Sequence, residues 1–237
     1  MSSRIVYRLS GLALLFGSLL VVLCVIMELV VFPHGTLDRY TSPLWQPILL
    51  LMLLGVLLIV GGLPGMYVRQ AERAGWSGLV GYTLTCYAVL LFGAFMALFA
   101  FIIPLLDTHA QLLLTGYDNF NLNGGRIPPL VVLFQVAGLV LSVGTFLLDR
   151  ATIRAGVLPR SAGVALIVAA AAALVMPLSP VMVVPPLGDL LYPFLVIGMP
   201  TCLGAFFFGL ARSGFALLSL RKVEEVAPQR AETSAQS

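Results

Sequence analysis

Long runs of apolar residues dominate this chain, and short polar segments separate them. Six of the runs reach about 20 residues, the length of helix that crosses the hydrocarbon core of a bilayer. They are continuously apolar and do not alternate apolar with polar positions, which excludes the strands of a membrane barrel. The pattern therefore predicts an all-α integral membrane protein, a bundle of six transmembrane helices. The predicted spans are residues 9–32, 46–68, 77–103, 127–148, 162–184 and 189–211.

The basic residues lie in the connections between these spans and fall mainly on one side. Eleven of the 13 basic residues occupy the ends and loops that would share a side with the N-terminus. Because basic residues are retained in the cytoplasm during insertion, this split predicts that both termini are cytoplasmic (N-in/C-in). The eleven are Arg4, Arg8, Arg69, Arg73, Arg150, Arg154, Arg160, Arg212, Arg221, Lys222 and Arg230, and the other two are Arg39 and Arg126.

The overall composition agrees with a lipid environment. Of the 237 residues, 60% are hydrophobic and 10% are charged, whereas a soluble domain keeps about a quarter of its residues charged. The net charge of +3 comes without a basic stripe interleaved with aromatic residues, which argues against a nucleic-acid partner. We expect a transmembrane domain at residues 1–212 and a largely disordered cytoplasmic tail at residues 213–237.

The fifth predicted span is interrupted by prolines. Pro177, Pro180, Pro185 and Pro186 leave only residues 162–176 as helix without a break. At 1.5 Å per residue this helix is about 22 Å long, shorter than the roughly 30 Å hydrocarbon core. The sequence therefore predicts a kinked or irregular continuation that is buried against neighbouring helices.

The second and fourth spans, with the segments that follow them, look like two copies of one unit. Each span carries two glycines six residues apart, and each is followed by two arginines, the second of which opens an Arg-Ala-Gly triplet. The triplets are residues 73–75 and 154–156. These matches predict a parallel repeat of helical hairpins, spans 2–3 and spans 4–5, about an axis along the membrane normal. Chance similarity between two glycine-rich hairpins is the alternative.

Small residues mark the helix faces that are expected to approach one another. Gly61 and Gly65 form one pair with small-xxx-small spacing, and Ala169 and Ala173 form another. In lipid, helices associate through the close backbone approach that such residues permit. We expect these faces to pack within one chain, and dimerisation is the alternative.

Ionisable residues are rare at membrane depth, where a charge is costly and by default marks function. Apart from residues at helix ends, the predicted spans contain essentially one, Glu28, about 6 Å below the outer boundary. Together with residues of the predicted outer face it forms the set of candidate ligand or ion contacts, and solvated loop residues are the alternative. That set is Glu28, His34, Asp107, His109, Asp118 and Asp189.

Several activities lack the residues that they need. No histidine lies inside a predicted span, so the paired axial ligands of a haem bundle are missing. A P-loop, a dinucleotide fingerprint and a Gly-x-Ser-x-Gly elbow are also absent from the sequence. No pair of candidate contacts has a metal-binding spacing. The sequence therefore predicts no metal, no cofactor and no catalytic residue.

Two segments at membrane boundaries resemble a known group of proteins. Residues 61–82 read GGLPGMYVRQAERAGWSGLVGY, and residues 147–165 include GVLPRSAG. They resemble an uncharacterised six-span family of bacterial inner-membrane proteins, common in actinobacteria and Chloroflexi-type bacteria. In that family a Gly-Leu-Tyr-x-Arg-Gln-Ala segment ends one span and a Pro-Arg-Trp-Ala segment opens a later one. The match covers about the central two-thirds of the chain, with Ser161 where tryptophan is usual and without the Trp-Leu-Gly ending of the last span. The resemblance implies architecture and location but no activity.

Three functional hypotheses from different classes follow. The leading one is a non-enzymatic accessory or assembly subunit of a larger membrane complex, or a small membrane sensor, whose partners are the bilayer and other membrane-protein subunits. Its motive is the small-residue helix faces and the long predicted outer loop, residues 104–126. The alternative is a carrier or binder of a small lipophilic molecule, entering near the interrupted fifth span with Glu28 and Asp189 at the outer mouth. The third, an enzyme acting on lipid, would need Glu28, Asp107 and Asp189 to converge.

Overall fold

The computed structural model describes residues 3–32, 42–106, 129–156, 160–174 and 187–219, and within these ranges the chain is helical without strands. The helices are α1 (Ser3–Val31), α2 (Trp45–Ala97), α3 (Pro129–Ala155), α4 (Arg160–Ala173) and α5 (Leu187–Ser219). A π-helical turn at Leu98–Ile102 and a 3-10 turn at Ile103–Leu105 continue α2. In this part of the chain four helices are long and apolar enough to cross a membrane. The prediction of an all-α membrane protein is therefore confirmed at that level.

A single glycine divides α2 into two antiparallel arms, residues 45–74 and 76–97. Gly75 has φ 61° and ψ −165°, outside the helical region, in a conformation that glycine adopts readily because it has no Cβ. The returning arm lies against the first, since a Cβ on Gly93 would be 3.0 Å from a Val56 methyl. Tyr67 and Tyr82 also stack across the two arms, with their ring centroids 4.7 Å apart. The arms correspond to the second and third predicted spans.

The helical segments pack against their neighbours in chain order. α1 crosses the first arm of α2 so closely that a Cβ on Gly17 would lie 2.8 Å from the carbonyl oxygen of Gly55. The second arm crosses α3 at Gly144, where an added Cβ would lie 2.7 Å from the backbone nitrogen of Thr85. Such close crossings depend on glycine, because any larger residue would push the backbones apart.

The packing continues through α4 and closes on α1. The Ser142 hydroxyl of α3 donates a hydrogen bond to the carbonyl oxygen of Ala170 in α4, at 2.7 Å. α4 then packs on α5, and α5 packs on α1, where a Cβ on Gly214 would lie 2.6 Å from the carbonyl oxygen of Gly11. The described segments therefore form a closed ring, with the first and last helices in contact.

The small residues singled out in the sequence are used mainly inside this ring. Gly65 packs directly on Ser10, and Ala169 is buried between α4 and its neighbours. Gly61 differs, because nothing lies within 4 Å of the place its Cβ would occupy. The side chain of Ala173 lies outside the described set.

The two ends of the ring differ in composition. At the end that we call the arginine end, arginine side chains of α1, α2, α3, α4 and α5 are exposed or half-exposed. There Arg212 donates to the Ser161 hydroxyl at 3.2 Å, and Arg73 donates to the carbonyl oxygen of Ala155 at 3.5 Å. The opposite end, which we call the aromatic end, holds ring contacts between Phe32 and Trp45 and around Phe95.

The helices extend beyond the predicted spans at the arginine end. α1 begins at Ser3 rather than residue 9, α3 continues to Ala155 rather than 148, and α5 continues to Ser219 rather than 211. Hydropathy places a span boundary at the first charges, but arginine side chains are long enough to reach water from within a helix. α4 covers the start of the interrupted fifth span, and residues 175–186 and 220–237 lie outside the described residues.

Candidate binding site at the arginine end

Only one of the six predicted contacts falls where its side chain is described. Glu28 is half-buried near the aromatic end, and its carbonyl oxygen accepts a 2.9 Å hydrogen bond from the backbone N–H of Phe32. Asp189 belongs to the first turn of α5, but its side chain is outside the described set. The other four predicted contacts, His34, Asp107, His109 and Asp118, lie outside the described residues altogether. Convergence of these six residues on the outer face therefore stays a prediction.

A different acidic residue is enclosed at the opposite end of the bundle. Asp149 has 0% of its surface exposed, and neither carboxylate oxygen has a hydrogen-bond partner among the residues that the structure describes. It lies in α3 six residues before Ala155, about 9 Å inside the helix end. Burying a charged group without a partner carries a large cost in free energy. Such a group in a membrane bundle points to function.

A buried amide lies at nearly the same level of the bundle. Gln70, in the first arm of α2, is 1% exposed, and within the described part of the chain neither its amide nitrogen nor its amide oxygen has a hydrogen-bond partner. Gly78, in the second arm of α2, contacts both the first arm and α3. A Cβ on Gly78 would lie 2.5 Å from that of Ala74 in the first arm and 3.1 Å from that of Ala151 in α3. Gln70 precedes Ala74 by one turn and Asp149 precedes Ala151 by two residues. Their depths therefore differ by only about 3 Å.

Two hydroxyl groups at this end donate hydrogen bonds to carbonyl oxygens of their own helices. Thr152 donates to the carbonyl oxygen of Leu148 at 2.8 Å, and Ser213 donates to that of Gly209 at 2.9 Å. Both residues are buried. A hydroxyl that donates within its own helix keeps lone pairs that can still accept. Each hydroxyl therefore offers an acceptor rather than a donor.

Apolar side chains are buried at this level and up to about two helical turns deeper in the bundle. Leu148 precedes Asp149 on α3, and Leu63 and Met66 lie on the stripe of α2 that leads to Gln70. We define the arginine-end interior by its polar members and its apolar members. The polar ones are Gln70, Asp149, Thr152 and Ser213, and the apolar ones are Leu63, Met66, Leu148, Leu166 and Leu210. An apolar enclosure with a few polar groups is the usual composition of a small-molecule site.

The donor set suits a single positive charge better than a metal ion. Within the part of the chain that the structure describes, no group of three or more His, Cys, Asp or Glu side chains comes together. Divalent cations such as Ca²⁺ and Mg²⁺ prefer about six or more oxygen ligands. Asp149 brings one carboxylate, so the arrangement fits a ligand that carries one charge and hydrogen-bond donors.

The sequence prediction missed both enclosed residues, although a signal for them exists. The predicted fourth span ends at residue 148, so Asp149 counts as a helix-end residue. Gln70 falls in the predicted connection between the second and third spans. Both nevertheless continue helical stripes. The buried stripe of α2 is Met52, Val56, Ile59, Leu63, Met66 and Gln70, and the polar stripe of α3 is Ser142, Thr145, Asp149 and Thr152. Comparisons with protein-family models, with curated proteins and with solved structures find no match to the chain.

Proposed function

We propose that the chain crosses the bacterial inner membrane six times, with both termini and the arginine end in the cytoplasm. The closed ring of helical segments supports six crossings, because each segment runs antiparallel to the one before it. The exposed arginines of adjacent segments at one end support the orientation, since basic residues stay on the cytoplasmic side. The bacterial location rests on the resemblance of residues 61–82 and 147–165.

We propose that the two hairpins are a true parallel repeat. The last residue of each Arg-Ala-Gly triplet supports this, because Gly75 has φ 61° and Gly156 has φ 63°. These are the positive-φ glycines of the described residues. The last glycine of the triplet therefore has a positive φ in both hairpins, which is more than glycine-rich composition alone requires.

For function, we propose a non-enzymatic binder or carrier of a small lipophilic molecule. The observation that carries the proposal is the pair of buried side chains, Asp149 and Gln70, that lack hydrogen-bond partners among the described residues. A fold normally satisfies its buried polar groups, and a bound molecule would satisfy these two. The proposed ligand contacts therefore lie at the arginine end of the bundle, in addition to any at Glu28 and Asp189.

The accessory-subunit hypothesis has less support from the described residues. One of its motives is the set of small-residue helix faces, and at Gly65 and Gly209 these faces pack within the chain. Those positions are therefore not free to receive a second protein, whereas Gly61 faces open space among the described residues. The other motive, the long outer loop, lies outside the described residues.

Native mass spectrometry on protein extracted in mild detergent from its own membrane tests the proposal. The binder hypothesis predicts a single chain of 25.3 kDa that carries a reproducible small mass. That mass should be reduced in the Asp149→Asn variant and retained in Glu72→Gln, a matched change at an exposed acidic residue. A larger assembly without any bound small molecule would contradict the proposal and favour the accessory-subunit hypothesis.

A further inference from the structure

The charge and hydrogen-bonding character of the arginine-end interior indicates which class of molecule it accepts. We propose that it binds a monovalent organic cation, with Asp149 as the counter-ion and Gln70 as a hydrogen-bonding partner. This inference rests on the proposed function, because it names the ligand class and the residues that hold it. It adds that the ligand is positively charged and that its charged group lies at the arginine end.

The sign of the charge follows from which groups are enclosed and which are not. Asp149 is fully buried, whereas Arg150, the next residue, is exposed, and Arg73 donates to the carbonyl oxygen of Ala155. Among the described residues the carboxylate oxygens have no hydrogen-bond partner. Burial without a partner disfavours an ionised carboxylate, and a cation beside Asp149 removes that cost. In a low-dielectric interior the attraction between opposite charges is several times stronger than in water. A cation is therefore the ligand that gives the enclosed carboxylate an opposite charge, which neither a neutral molecule nor an anion does.

The hydrogen-bonding inventory points in the same direction. The Thr152 and Ser213 hydroxyls have donated their protons to carbonyl oxygens of their own helices. When it is ionised, the carboxylate of Asp149 can only accept, and the Gln70 side chain has an acceptor oxygen in addition to its amide protons. An ammonium group has three donors and no acceptor. A surplus of acceptors is therefore complementary to an ammonium or a related N–H cation.

The neighbouring side chains favour an organic cation over a metal ion. One carboxylate balances one charge, and it cannot supply the several oxygen ligands that Ca²⁺ or Mg²⁺ requires. Leu63, Met66 and Leu148 are buried on the helices that carry Gln70 and Asp149. Such side chains fit the apolar body of an amine and give nothing to a hydrated ion.

Binding of a matched pair of probes to the purified full chain in detergent tests the inference. Benzylammonium has an apolar body and one ammonium group, and benzyl alcohol has the same body without the charge. Isothermal titration should show that the wild type prefers benzylammonium by about tenfold or more, as expected for charge-assisted hydrogen bonds. Asp149→Asn should weaken benzylammonium binding by about 10- to 100-fold and leave benzyl alcohol binding unchanged.

Two further variants separate the site from general effects on the fold. Gln70→Met keeps the length of the side chain, removes the amide, and should weaken benzylammonium binding by about three- to tenfold. Glu72→Gln neutralises an exposed acidic residue at the same end and should leave binding unchanged. If Asp149→Asn fails to fold, the comparison of the two probes on wild type and on Gln70→Met still decides the question.

The outcomes distinguish this inference from the proposed function. Equal affinity of wild type and Asp149→Asn for benzylammonium overturns the inference, and so does a wild-type preference for benzyl alcohol or no binding of benzylammonium. In each of these cases a reproducible bound mass in native mass spectrometry leaves the proposed function standing. Loss of the bound mass as well overturns both.

Discussion

The two ends of the bundle differ in the polarity of their buried side chains. At the aromatic end the filling is apolar: Phe134 contacts Phe92 and Phe95 with ring centroids 5.3 and 5.5 Å apart, both in edge-to-face geometry. At the arginine end a carboxyl group and an amide are buried, and neither has a hydrogen-bond partner in the described ranges. α1, α2 and α3 each run through both ends, and along these helices the difference lies in the side chains.

The aromatic contacts at one end stabilise the fold, whereas the buried polar groups at the other end destabilise it. Edge-to-face aromatic pairs add about 0.5–1.5 kcal/mol beyond the burial of their surface. An unsatisfied buried polar group costs about 1–3 kcal/mol, and more when it is charged. The comparison therefore teaches that substitutions at the two ends should change stability with opposite signs.

The largest expected effect is at the aromatic end. Phe95→Ala removes a 5% exposed ring from its contacts with Phe99 and Phe134. It should lower the free energy of unfolding by about 3–5 kcal/mol, because the space it leaves cannot fully collapse. Denaturant unfolding in detergent measures this change. Phe208→Ala, at a ring that is 55% exposed, should change stability by no more than about 0.5 kcal/mol. Similar losses in the two variants would mean that the aromatic end is not a packed core.

The next effect is of opposite sign and lies at the arginine end. Asp149→Asn keeps the shape of the side chain and removes an acidic group whose charge would have no partner among the described residues, so it should raise the free energy of unfolding by about 1–3 kcal/mol. The same unfolding measurement without added ligand reports it. Glu72→Gln, at an exposed position, should have no measurable effect. A clear destabilisation by Asp149→Asn would show that the carboxylate already has a stabilising partner.

A smaller effect compares one substitution at both ends. Gln70→Met replaces an enclosed amide without partners by an apolar side chain of similar size, and should raise the free energy of unfolding by about 1 kcal/mol. Gln135→Met makes the same change beside Phe134, at a half-buried position where the side chain is not enclosed. It should give no such gain. Equal changes in the midpoint of unfolding would remove the distinction between the ends.

The smallest expected effect is at glycines on the outside of the ring. Gly61 lies in a helix with open space around the position of a Cβ, so Gly61→Ala should raise the free energy of unfolding by about 0.5–1 kcal/mol through backbone entropy alone. Gly204→Ala, at another open position, should behave in the same way. A loss of stability at both sites would indicate that these faces already contact something in the purified protein.

The all-α character and the clustering of arginines could be predicted from the sequence, because both follow from strong local signals. Continuous apolar runs can only be buried or face lipid, and the Arg-Ala-Gly triplets mark the two positive-φ turns at Gly75 and Gly156. The order of helices in the ring could not be predicted, because hydropathy does not distinguish a lipid-facing face from a helix-facing one. The crossings at Gly17, Gly144 and Gly214 became visible only with the structure.

The candidate site shows where hydropathy misleads. It placed Asp149 and Gln70 beyond the ends of their spans, because arginines nearby lowered the local average. The helices continue past those arginines, whose exposed side chains reach outward, and the two polar residues are thereby enclosed. Their continuation of the helical stripes was the better guide, since spacing within a helix determines which face a residue occupies.

Photolabelling tests most directly the claim that the arginine-end interior holds the ligand's charge. The probe is a benzylammonium that carries a diazirine on its ring, and mass spectrometry of the digested protein locates the label. The account predicts labelling within residues 63–74 and 145–156, competition by unlabelled benzylammonium, and loss of this labelling in Asp149→Asn but not in Glu72→Gln. Labelling confined to the aromatic end, or spread evenly over lipid-facing residues and insensitive to Asp149→Asn, would contradict it.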